Sequence, residues 1–250
     1  MPDNRIALVT GANQGIGLQI AKDLAANGLT VLVGSRNVGN GEKAAREVGA
    51  DAHAVQLDVT DPASIAAAAD RIAKAFGRLD VLVNNAGIAK IGQPQGAVED
   101  IVKSGRISSA SLDDIRTIYE TNVFGVIAVT HAMLPLLRRS KAARIVNVSS
   151  GVGSLTRTLG PGGEHLRSIY GMYSASKTAL NAVTVGLALD LAEEGIKVNA
   201  ACPGYTKTAL NNFQGTRTVE QGAREPVRLA LLGDDGPTAG YSSDDGTLPW

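Results

Sequence analysis

The sequence predicts an α/β fold: a doubly wound parallel sheet of about seven strands with helices on both faces, in a single domain. Two features of the hydrophobic pattern and one of length carry this expectation. Short runs rich in Val, Ile and Leu alternate with longer segments in which apolar residues recur every third or fourth position. The short runs are apolar throughout, which is what strands covered on both faces require, and strand–helix alternation builds a parallel sheet through right-handed crossovers. At 250 residues, with neither an internal repeat nor a dividing linker, the chain fits one domain of the larger α/β kind.

The strand candidates, in order, are 6–10, 30–34, 54–57, 81–84, 144–149, 197–202 and 239–242. Between the first two, Ile16, Ile20 and Leu24 recur every fourth residue beside Ala21 and Ala25, and Gly28 follows as a helix stop. Asp61-Pro62 opens another helix, as an N-cap followed by a first-turn proline. Ser111, with Asp114 three residues on, opens a third in a variant of the capping box, running to about Arg139 despite Pro135. Stretches 88–110 and 151–171, both rich in Gly and Ser, read as long loops.

Composition excludes several functional classes. The formal net charge is zero, so no global field attracts nucleic acid or an anionic membrane. A single cysteine, Cys202, allows no internal disulfide and fits a reducing compartment. The opening MPDNRIALVTG lacks the parts of a signal peptide, and no apolar run approaches the roughly 18 residues of a membrane span. A soluble, cytoplasmic protein is therefore expected. His53, His131 and His165 are scattered and give no zinc spacing with Cys202, so no metal site is expected; His165 reads as surface. There is no Gly-x-Ser-x-Gly nucleophile elbow.

Two stretches carry chemistry. In Y173-S-A-S-K177, residues four apart share a helix face, so a phenol and an ammonium point into one space. A tyrosine titrates near pH 10 and a neighbouring cation favours its phenolate, so the pair is expected to exchange a proton near neutral pH. The first strand candidate runs into T10-G-A-N-Q-G-I-G17, where glycines let an anion approach the backbone and the following helix offers its N–H groups to phosphates. Its Gly-x3-Gly-x-Gly spacing departs from the common dinucleotide fingerprint.

With these residues the chain resembles the short-chain dehydrogenase/reductase superfamily, in its branch of about 250 residues with a Rossmann-like sheet. The matching elements, in order, are T10-G-A-N-Q-G-I-G17, N84-N-A-G87, Asn122 within T-N-V-F-G, Ser150 with Tyr173 and Lys177, and C202-P-G204 followed by Thr206 and Thr208. The resemblance implies that Asn122, Ser150, Tyr173 and Lys177 are catalytic. It assigns to the cofactor Gly11, Asn13, Gln14, Gly15, Ile16 and Gly17 in the glycine turn. Further along it assigns Asp58 and Val59 at the adenine, Asn84, Ala86 and Gly87 near the ribose, Tyr173 and Lys177, and Pro203, Gly204, Thr206 and Thr208 at the nicotinamide. Asp58 also reads as a helix cap, and N84-N-A-G87 as a turn that steadies the sheet. Asn122 is expected to hold a helix distortion and a water leading to the lysine. Of the adjacent serines, Ser150 fits the family's Ser-x-x-Gly pattern with Gly153, whereas Ser149 meets Val152.

The implied activity is hydride transfer between a nicotinamide cofactor and a small-molecule ketone or aldehyde, with Tyr173 as proton donor and Ser150 bonded to the same oxygen. A cofactor-binding regulatory protein without turnover is the alternative. Arg36 stands at the end of the second strand, where an NAD enzyme places an acid, so NADP(H) is expected over NAD(H), with Asn13 as a second contact to the 2′-phosphate. Extra residues between Gly87 and Asn122, and between Ser150 and Tyr173, resemble the carbonyl reductase subgroup and its plant relatives, as does the ending G-P-T-A-G-Y through Pro249-Trp250. Substrate-pocket loops are expected at about 88–110, 151–171 and 205–222, and a monomer is expected over a homodimer or homotetramer because the second insertion obstructs the family's assembly face.

Overall fold

The computed structural model describes residues 5–89 and 105–250. Eight strands, β1 (Ile6–Val9), β2 (Thr30–Ser35), β3 (Ala52–Gln56), β4 (Val81–Asn84), β5 (Arg144–Val148), β6 (Lys197–Ala201), β7 (Tyr241–Ser243) and β8 (Gly246–Thr247), form one sheet. Their order is β3-β2-β1-β4-β5-β6-β7-β8, with every pairing parallel except β7 with β8. Among the described residues the α-helices are α1 (Gly15–Ala26), α2 (Val38–Val48), α3 (Pro62–Phe76), α4 (Leu112–Leu137, with a π-helical turn inside it), α5 (Leu155–Leu159), α6 (Glu164–Ser168), α7 (Met172–Asp190) and α8 (Val219–Ala230).

The continuously apolar strands divide their side chains between two cores. Leu8, Leu32, Leu82 and Ile145 enter the core under α3, α4 and α7, while Val9, Val31, Val83 and Val146 enter the one under α1, α2 and α8. This is the period-2 alternation of a strand with both faces covered. Helix starts follow the residues that announce them. Asp61 accepts from Ala63 N–H at 2.9 Å ahead of Pro62, and Ser111 accepts from Asp114 N–H at 3.1 Å. After α1, Gly28 takes a left-handed φ of 85°, a conformation that favours glycine.

Four expectations change. β8 is added, a two-residue antiparallel strand that closes the sheet edge. β7 starts at Tyr241 because Ala239, inside the expected strand 239–242, has φ 55°, which no strand residue adopts. Stretch 151–171 is folded: Ser154 caps α5 by accepting from Arg157 N–H at 3.1 Å, and Arg167 of α6 donates back to Thr158 O at 2.9 Å. Lastly, α4 is long and apolar enough, by length and composition alone, to match a membrane span. Its Val129, Met133, Leu136 and Leu137 serve the core. Of the expected loop 88–110, residues 90–104 lie outside the described residues.

Candidate active site

Strand order reverses between β1 and β4, and in parallel sheets such a point leaves a crevice beyond the carboxyl ends of the strands. A cleft of about 1490 Å³ opens there. The whole glycine turn from Gly11 to Gly17 except Ala12 lines it, and so do Arg36, Asp58, Val59, Ala86, Gly87, Ser150, Tyr173, Lys177, Pro203, Gly204, Thr206 and Thr208. Of the sequence-predicted site residues, Asn84 and Asn122 stand behind its wall.

The glycine turn is held from the sheet. Thr10 Oγ1 accepts from Asn85 N–H and Ala86 N–H, each at 3.0 Å, and Asn85 Nδ2 donates to Thr10 O at 2.9 Å. A Cβ on Gly17 would lie 2.4 Å from Asn85 Nδ2 and 2.6 Å from Gly11 O, so only glycine lets the turn close. Helix α1 then starts with no side-chain cap and no acid in its first turn. Its first N–H groups and dipole are thus directed at the cleft without a protein carboxylate in the way, which fits a phosphate-bearing ligand. Arg36 is exposed at the end of β2, while Glu42, the next acid, lies on α2 and faces a separate groove.

Adjacent serines separate as strand alternation demands. Ser149 turns inward and donates to Asn181 Oδ1 at 2.5 Å. Ser150 faces the cleft beside Tyr173, near enough for its side chain to lower the phenol's pKa. One turn along α7, the buried Lys177 donates to Val148 O at 2.7 Å, and its Nζ lies 5.8 Å from the Tyr173 ring centroid. Burial pushes Tyr173 up to about 12, against the lowering effect of Ser150. Burial likewise brings Lys177 down from 10.5 to about 8. This corrects the expected phenolate near neutral pH: Lys177 is engaged by a carbonyl, burial dominates, and both groups keep their protons at pH 7.

Asn122 lies in a π-helical turn of α4, Glu120–Phe124, and is fully buried. It accepts from Ile88 N–H at 2.9 Å and donates to Ile88 O at 2.8 Å and Ser176 Oγ at 3.0 Å. Its amide therefore fixes the chain just past Gly87.

Asn84 requires a correction. The register pairs it with Asn147, on the same face as Leu82, and it donates to Asn147 Oδ1 at 2.9 Å and Thr130 Oγ1 at 3.2 Å. Being 2% exposed, it braces β4 to β5 and α4; the cleft wall is made by Asn85, Ala86 and Gly87. Thr206 also differs from its expected role. It lines the cleft as Thr208 does, but its hydroxyl donates to Pro203 O at 3.0 Å, inside the turn. Asp58 accepts from Thr60 N–H at 2.9 Å and Thr60 Oγ1 at 2.8 Å; the helix cap is Asp61.

Two residues that lie inside the quoted motifs without an assigned role matter here. Asn85 locks the glycine turn, and its place next to the expected Asn84 was the available signal. Cys202 accepts from Gly151 N–H at 3.0 Å and Gly204 N–H at 3.4 Å, joining the turn after Ser150 to the one after Pro203. Nothing in the sequence around Cys202 signals that role. Of the insertion before Tyr173, only its ends reach the cleft among the described residues, at Val152 and at Ile169 to Gly171. His165 is exposed and away from it.

Residues 5–218 match the family model described as short chain dehydrogenase. The chain belongs to this family. Among the relatives of this dehydrogenase, salutaridine reductase of Papaver somniferum is 35% identical over 292 aligned positions, covering 94% of this chain and 92% of the relative. The solved structure of that reductase superposes with a TM-score of 0.80 at 33% identity, covering 96% of this chain and all of the other. (+)-Neomenthol dehydrogenase of Arabidopsis thaliana is 34% identical, covering 91% of this chain and 92% of its own. A 3-ketoacyl-(acyl-carrier-protein) reductase from Brucella melitensis, solved with NADH, gives a TM-score of 0.80 at 27% identity, with 98% of each chain covered. This dehydrogenase is thus an oxidoreductase by family, similar to plant reductases.

Proposed function

We propose that this short-chain dehydrogenase is an NADPH-dependent carbonyl reductase acting on a small-molecule ketone or aldehyde, with Tyr173 as the proton donor. The observation that carries the reading is the convergence of Ser150, Tyr173 and Lys177 on one cleft, with Lys177 one helical turn behind Tyr173 and its Nζ 5.8 Å from the ring centroid. Relatives named salutaridine reductase and (+)-neomenthol dehydrogenase support it.

The cleft has the donor set for a dinucleotide phosphate: an uncapped helix terminus at one end and an exposed guanidinium at the end of β2. On this reading Gly15, Ile16 and Gly17 receive the pyrophosphate, and Asp58 and Val59 flank the base. Arg36 grips a 2′-phosphate, with Asn13 beside it. Pro203, Gly204 and Thr208 border the nicotinamide. When bound, NADPH supplies the hydride to the carbonyl carbon. Tyr173, protonated because burial raises it to about 12, releases its proton to the carbonyl oxygen as negative charge develops there. Ser150 donates a hydrogen bond to the same oxygen. Lys177, still cationic at neutral pH, stabilises the phenolate left behind and would hold the cofactor ribose.

The test is loss of NADPH absorbance with a panel of ketones and aldehydes. Unmodified protein is expected to reduce some of them. Tyr173→Phe, which deletes one hydroxyl, is expected to bind NADPH by fluorescence titration as the parent does while losing most turnover. Substantial activity in Tyr173→Phe overturns the assignment.

A further inference from the structure

Ser150 is where the chain leaves the sheet, so its placement depends on contacts other than the ladder. The last rung is Ser149 N–H to Ala201 O at 2.8 Å, and the 3-10 turn Gly151–Gly153 begins one residue after Ser150. Two donors converge on the Ser150 carbonyl. Gly153 N–H reaches it at 2.8 Å, and Tyr241 Oη, arriving from β7, donates to it at 2.5 Å. Tyr241 is 1% exposed, and burial pushes its phenol up, so the hydroxyl stays a donor through the neutral range. Trp250 stacks on its ring with centroids 5.2 Å apart and planes 21° apart. Trp250 is held in turn by Thr156 N–H to Trp250 O at 3.0 Å, and its neighbour by Ser154 Oγ to Pro249 O at 2.7 Å.

A buried tyrosine needs an acceptor, and any carbonyl would satisfy it. The acceptor here belongs to the residue that lines the cleft with Tyr173. Fixing that carbonyl from two directions fixes the backbone that carries Oγ, and the Trp250 stack holds the Tyr241 ring against swinging away. We propose that Tyr241 is a positioning residue for Ser150, its hydroxyl holding the Ser150 carbonyl so that Oγ is aimed at Tyr173 and at the substrate oxygen. This rests on the reading above that Ser150 binds the reacting oxygen.

The experiment uses Tyr241→Phe, which keeps the ring on Trp250 and removes one hydroxyl, alone and combined with Ser150→Ala. For the ketone reduced best by the unmodified protein, Tyr241→Phe is expected to lower kcat about tenfold, roughly one hydrogen bond's worth, with KM for NADPH unchanged. Amide exchange over residues 150–154 is expected to quicken by about 2- to 13-fold. In the Ser150→Ala background, Tyr241→Phe is expected to change kcat no further, since the Oγ that Tyr241 positions is already gone. Trp250→Leu, which leaves the hydroxyl but frees the ring, gives a second route if Tyr241→Phe does not fold: a smaller loss, again absent without Ser150. An equal kcat loss in both backgrounds, or a Tyr241→Phe enzyme that keeps parental kcat and exchange, overturns the proposal alone. An unmodified protein that reduces no carbonyl in the panel overturns the underlying reading and this proposal with it.

Discussion

Alanine at Gly153 puts a methyl group where there is no room. Its Cβ would lie 2.8 Å from Lys177 C, 2.9 Å from Lys177 Cβ and 3.0 Å from Lys177 O. Two of these atoms are backbone in the middle of α7 and cannot rotate aside, so the turn itself must move. That turn is attached to α7 through Thr178 Oγ1 to Gly153 O at 2.9 Å and Asn181 Nδ2 to Gly153 O at 3.3 Å. Overpacking costs about 1–3 kcal/mol and a lost hydrogen bond about 1 kcal/mol, against a gain of about 0.4–1 kcal/mol from a stiffer unfolded chain. The net expectation is a loss of about 2 kcal/mol, or roughly 4–8 °C in Tm for a chain of this size. Gly186→Ala is the control, since it lies in the same helix with nothing within 4 Å of its Cβ. There the helix-propensity gain stands alone, and Tm should rise by about 1–4 °C. Thermal melts and urea midpoints on both variants are the assay. A Gly153→Ala protein that melts at or above the parent, or a Gly186→Ala protein that falls with it, would refute the packing argument.

Three further expectations follow from the site. Folded Lys177 loses its proton near 8 while the unfolded residue keeps it to about 10.5, so between those values the unfolded state binds more protons and stability rises with pH. Tyr173 opposes this only above 10, where its unfolded phenol ionises ahead of the folded one at about 12. Urea midpoints at about pH 7.5 and about pH 9.5 should therefore show the parent gaining on Lys177→Met; a parallel response refutes the shift. Arg36→Asp is expected to raise KM for NADPH by at least about tenfold and to narrow or reverse its preference over NADH, and an unchanged ratio in initial-rate kinetics refutes the phosphate role. Asn84→Ala strips Asn147 and Thr130 of a buried partner, so it should cost about 1–3 kcal/mol in urea denaturation while leaving KM for NADPH alone. A raised KM without lost stability would return Asn84 to the cofactor.

Legibility in the sequence followed the reach of each signal. The parallel sheet was legible because strands such as Val81–Asn84 are apolar on both faces and each feeds two cores. Cap residues Asp61 and Ser111 were legible because their bonds are local. The choice of Ser150 over Ser149 came from the spacing to Gly153, and the contact with Lys177 supplies its physical reason: only a glycine lets the turn lie against α7. Asn84 was misread because facing is set by register with Asn147, 63 residues away, which no local pattern carries. Tyr173 was misread for a related reason, since spacing brings a cation near but does not report that Val148 O has captured it. The two-residue β8 is too short for any period to register.

The π-helical turn of α4 sets a dimension of the cleft. Asn122, within it, clamps Ile88, and Gly125, the residue that completes it by donating to Glu120 O, is where the β3–α3 connection crosses. A Cβ on Gly125 would sit 2.8 Å from Val59 O. Two walls of the cleft, one past Gly87 and one at Asp58 and Val59, are therefore both indexed to a single turn of one helix. The gauge between them is set by that one turn, not by the length of the segments they belong to. Additional residues can accumulate between Gly87 and Asn122 without altering that gauge, because the chain is pinned at Ile88 before the insertion starts and at Asn122 after it ends.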